Sequence, residues 1–135
     1  MTADQLHAMI VAATFALLPI IITAVLVSVS RRAVDGRLPP NKTSGIRTPA
    51  TMSSDRAWVV AHGAALRRTP LLVAVTVTVW IVLFATAWNF PTILPVMLAG
   101  VGTGVVVIAV LIYVAYVANK AAKTVGDGSA GRPQQ

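Results

Sequence analysis

Cysteine and glutamate are both absent, and the only carboxylate side chains are Asp4, Asp35, Asp55 and Asp127. The first absence removes disulfides, thiolate metal sites and cysteine nucleophiles. The second leaves little for paired acid–base or metal chemistry. Histidine is nearly as scarce, with His7 and His62 alone, and neither Asp35 nor Asp55 stands at metal-ligand spacing from His62. No catalytic residue, metal or cofactor is therefore expected, and the chain is not expected to be an enzyme. Charge is sparse as well. Charged residues make up 11% of the 135 residues, against about a quarter in an ordinary soluble domain. Asp4 is the only side-chain charge before Arg31, and none falls between Arg68 and Lys120.

What fills the space is hydrocarbon: 56% of residues are apolar and the mean hydropathy is +0.78. Three runs carry it, Leu6–Val29, Pro70–Trp88 and Ile93–Ala118. The first, as a helix at 1.5 Å per residue, reaches ~36 Å and exceeds a hydrocarbon core of about 30 Å. A cleaved signal peptide would need basic residues before its apolar run. Here Arg31 and Arg32 follow it instead, and Pro19 marks a place for a kink. In the second run Val73, Val75, Val77 and Val79 alternate in the manner of a strand, but a lone strand in lipid leaves its backbone unsatisfied, so helix is expected. Trp88 and Phe90 suit the interface at its end, and Asn89-Phe90-Pro91 makes a tight connection. The third run contains Gly100 and Gly104 at the spacing that lets membrane helices approach closely. The resulting expectation is an all-α integral membrane protein. A membrane domain over 1–124 holds spans at about 6–29, 70–88 and 93–118 and a motif loop at 30–69, and a disordered tail occupies 125–135.

Orientation follows from the basic residues. Arg31, Arg32, Arg37, Lys42, Arg47, Arg56, Arg67 and Arg68 lie in the first loop, and Lys120, Lys123 and Arg132 in the tail. All eleven fall on one side if the N-terminus is outside and the C-terminus inside, as in a multi-pass membrane protein. The net charge of +7 is thereby accounted for without a nucleic-acid partner. No Asp, Glu, Lys or Arg lies within the spans, which argues against a proton-coupled carrier. Thr14, Thr23, Thr76 and Thr78 are a thin lining for a pore.

The informative segment is the loop. Gly36 and Leu38-Pro39-Pro40 end the first helix, and turn-forming residues follow from Asn41 to Thr51. Ser53 or Ser54 can cap a short juxtamembrane helix with Asp55 in its first turn, running to about Leu66. On it Trp58 and His62 are four apart and share a face. Trp58, Val59 and Leu66 would let this helix lie in the interface plane, with Trp58 as an anchor. Gly45 suits a positive φ and Pro49 a fixed approach to the helix. Arg47 offers a planar donor fork to a lipid phosphate, a helix C-terminal carbonyl or Asp55. His62 suits either a hydrogen bond to the loop or a proton-responsive role.

The string Gly45-Ile46-Arg47-Thr48-Pro49, then Thr51, then Trp58 and His62, resembles the signature of the bacterial SdpI family. Members typically show a Gly-x-Arg-Thr-Pro segment and a Trp-x-x-x-His helix between membrane spans. Ala50 stands where the family commonly has an aromatic residue. The resemblance implies that Gly45, Arg47, Thr48, Pro49, Trp58 and His62 form a shared interaction feature. It also implies the founding member's roles: immunity to a secreted toxin of its own species, and recruitment of a transcriptional repressor to the membrane. The partners expected are the bilayer and a protein, either a toxin, a repressor or a larger membrane complex; the sequence specifies no oligomeric state. The alternative function is an accessory subunit packed against such a complex through Gly100 and Gly104.

Overall fold

A computed structural model describes residues 1–90 and 92–130, with side chains through 125. It contains α1 (Ala3–Val34), α2 (Asp55–Leu66), α3 (Thr69–Asn89) and α4 (Ile93–Ala130), and no strand among the described residues. Three helices are long and apolar enough to cross a membrane: α1, α3 and the Ile93–Val125 part of α4. The chain is an all-α membrane protein with a short helix in its first loop. Each long helix overruns the apolar run that predicts it, because a helix once nucleated adds polar residues at little cost. α4 accordingly continues to Ala130, past the start of the expected tail at 125; the rest of that tail, 131–135, lies outside the described residues, as does Pro91 of the predicted connection.

The fold divides into two compact units, Met1–Ala24 with Pro70–Val110, and Val25–Thr69 with the chain from Leu111 onward. In the first unit α1 and α3 each bury a stripe with four-residue spacing. α1 contributes Ala8, Ala12 and Ala16; α3 contributes Val79, Leu83 and Ala87; α4 adds Val96. Rows at i and i+4 form the ridges along which helices interlock, and alanine lets backbones come close. The Trp80 indole N–H donates to the Ala16 carbonyl at 3.0 Å, and the Thr23 and Thr76 hydroxyls pair at 3.2 Å. Thr14 and Thr78 instead bond to carbonyls of their own helices. Outside the stripes, Leu18, Ile21, Ile81, Leu94, Leu98 and Val101 are each more than half exposed. In water such surface would be costly; against acyl chains it is not.

In the second unit α1 ends at Val34 and the chain turns at Gly36, whose φ of +73° is open to glycine without penalty. The Leu38 amide folds back to the Arg32 carbonyl at 2.9 Å. α2 begins at an extended Ser54, whose hydroxyl accepts from the Ala57 amide at 3.1 Å. That resolves the choice between the two serines. Ala57 and Ala61 of α2 pack against Ala118 and Ala122 of α4, with Ile46 and the half-buried Ala50 of the loop beside them. α2 therefore turns the face that carries Trp58 toward the protein. Its buried face is mostly alanine and is spent on protein contacts, and Trp58 is 1% exposed rather than anchored in headgroups.

Candidate functional site

The loop between α1 and α2 is built by short polar residues that bond their own neighbourhood. Asn41 Oδ1 accepts from the amides of Thr43 and Ser44, at 3.0 and 2.8 Å, and its Nδ2 donates to the Pro39 carbonyl. This Asx-type turn feeds Gly45, at φ +103°. A second turn spans Thr48–Thr51. The Thr48 amide donates to Thr51 Oγ1 at 2.8 Å, and the fully buried Thr51 hydroxyl donates to the Ile46 carbonyl at 2.7 Å. Pro49 sits exposed in this turn, where its fixed φ costs nothing.

Trp58 and His62 hold the loop down. One turn apart on α2, their rings lie 4.1 Å apart between centroids. Trp58 Nε1 donates to the Leu38 carbonyl at 2.8 Å. The Ile46 amide donates to His62 Nε2 at 3.2 Å, and His62 Nδ1 stands 2.9 Å from the Trp58 carbonyl. Because Nε2 accepts, the proton of the neutral ring is on Nδ1, donated to that carbonyl. Burial pushes the His62 pKa below its ordinary value of 6.5, and the Trp58 carbonyl opposes this more weakly. Thr48 also reaches outward from the turn. Its hydroxyl donates to Asn119 Oδ1 on α4 at 2.7 Å, which ties the motif to a residue 71 positions away.

The six motif residues are thus brought into one cluster, with unequal parts. Gly45, Thr48, Trp58 and His62 are used in closing the loop. Arg47 is exposed, and its guanidinium donates to the Lys42 carbonyl, not to Asp55 or a helix end. Asn119 and Leu38 are participants that sequence reasoning missed. Leu38 acts through its carbonyl, which leaves no side-chain signal; Asn119 is a polar residue directly after the third apolar run, the signal that could have marked it. Gly100 and Gly104 are likewise not equivalent. A Cβ on Gly100 would meet the Phe15 ring at 2.9 Å, whereas nothing lies within 4 Å of one on Gly104. The close approach is of a helix backbone to an aromatic side chain, at one glycine rather than two. No group of three metal-ligating side chains exists among the described residues.

A family model described as the SdpI/YfhL protein family matches residues 37–117, more than half of the chain. No curated protein and no solved structure gives a match.

Proposed function

The chain belongs to the SdpI/YfhL family, and from that premise we propose that it protects the membrane against a membrane-active peptide, or signals its presence, through the cytoplasmic loop. The reading has the N-terminus outside and the loop and C-terminus inside, supported by the placement of all eleven basic side chains on that side. It is a binding role rather than a catalytic one. The observation that carries it is the division of labour in the loop. Gly45, Thr48, Trp58 and His62 hold the backbone, while Arg47 keeps an exposed guanidinium on a scaffold that is already closed. Most of the five donors of that guanidinium remain for a carboxylate or phosphate of a partner, and a preorganised fork loses less entropy on binding.

Complementation of a deletion strain under challenge with membrane-active peptides tests this. Arg47→Lys retains the charge that orients the protein but loses the planar fork. It is expected to accumulate at the wild-type level, checked by blotting, and to protect no better than the deletion. Full protection by Arg47→Lys would remove the interaction role from the loop.

A further inference from the structure

Where the C-terminal end of α2 faces α4 in the second unit, a cavity of about 340 Å³ opens, lined by Ala64, Arg67, Arg68, Val117, Lys120, Ala121 and Thr124. Its composition is lopsided. Alanines and a valine form the apolar part, three cations surround it, and no carboxylate lines it. The one ion pair among the described residues, Arg37 with Asp35, is elsewhere. The Thr124 hydroxyl is already donated to the Ala121 carbonyl at 2.8 Å, so the cavity's uncommitted donors are cationic.

Arginines at 67 and 68 would suit the negative end of the α2 dipole by themselves. That accounts neither for Lys120, which comes from α4, nor for the space left between the two helices by Ala64 and Ala121. The level is also informative. Arg67 and Arg68 immediately precede Thr69, the first residue of α3, a helix long and apolar enough to cross the membrane. The Arg68 guanidinium lies 5.6 Å from the centre of the Tyr113 ring, and Tyr113 and Tyr116 are exposed on α4 in the manner of interfacial aromatics. A basic pocket between helices at headgroup depth on the positive side of the membrane matches the charge and height of an anionic headgroup.

We propose that this cavity is a binding site for a phosphate-bearing anion, held by Arg67, Arg68 and Lys120 over the apolar floor of Ala64, Val117 and Ala121. A lipid headgroup and soluble phosphate share this chemistry. The site is separate from the Arg47 loop and does not depend on the proposed protective role.

The test uses the full chain purified in non-ionic detergent and native mass spectrometry, with phosphatidylglycerol, phosphatidylcholine and inorganic phosphate as probes. One phosphatidylglycerol should be retained per chain, in preference to the zwitterionic lipid. Millimolar phosphate that displaces it would identify a soluble phosphate as sufficient; retention in phosphate would identify the lipid, and both results uphold the site. Arg67→Gln with Lys120→Gln should weaken binding roughly tenfold or more, as expected for two juxtamembrane cations. Lys42→Gln with Arg56→Gln removes the same charge away from the cavity and should change binding little. The exposed Lys120→Gln alone should give an intermediate loss, which guards against misfolding of the double variant. Equal losses in the two double variants, or no preference for phosphatidylglycerol and no phosphate binding, would overturn the site.

Discussion

Gly45 lies so close beneath His62 that a Cβ placed on it would stand 2.7 Å from the imidazole Nε2, the atom that accepts the Ile46 amide. The same Cβ would be 2.7 Å from Trp58 Cη2. Glycine is thus required twice here, by backbone conformation and by contact. The string that marks the family is a fitted joint between a turn and the two rings that seat it.

Gly45→Ala should therefore open the loop, while Gly36→Ala should not. Both positions have positive φ, but a Cβ on Gly36 meets nothing within 4 Å. Backbone strain alone costs about 1–3 kcal/mol for a side-chain-bearing residue in such a region. Gly36→Ala should show only that penalty in the detergent melting temperature. Gly45→Ala adds the clash and should also expose residues 38–52 to protease. Similar proteolysis of both variants would refute the joint.

The loop should loosen as pH falls. His62 is neutral and buried, with its pKa held below 6.5 chiefly by desolvation. A group whose folded pKa is depressed stabilises the fold above its unfolded value, and this contribution is lost as pH drops from about 6.5 toward the folded value. Protonated Nε2 would turn a donor toward the Ile46 N–H, which is itself a donor. Hydrogen exchange at Ile46, corrected for intrinsic rate, should gain protection from pH 5 to pH 7.5. His62→Gln retains an acceptor without titrating and should flatten the profile.

Gly100→Ile should lower the melting temperature in detergent, and Gly104→Ile should leave it near wild type. The Phe15 ring already lies where a side chain at 100 would go. Overpacking of this kind typically costs about 1–3 kcal/mol. Equal shifts in the two variants would mean that Gly104 too faces a neighbour.

Cysteine labelling checks the orientation, in a chain with no native cysteine to interfere. With an impermeant thiol reagent on intact cells, Asn89→Cys should react, and Thr43→Cys should react only after lysis. Labelling of Thr43→Cys in intact cells would invert the proposed topology.

The sequence by itself determined the helices and the membrane. Uncharged runs of this length leave few alternatives once backbone satisfaction in lipid is required. The turn at Gly36, the serine cap and the shared face of Trp58 and His62 were also legible, because each depends on contacts within a few residues. Which surface those rings face was decided only by the tertiary structure. A tryptophan before a span has the same composition whether it meets headgroups or a folded loop, and here the Leu38 carbonyl and Gly45 claim it. The bond from Thr48 to Asn119 and the ring of Phe15 over Gly100 join positions far apart in the chain, and no local pattern encodes which of several compatible partners a helix will meet.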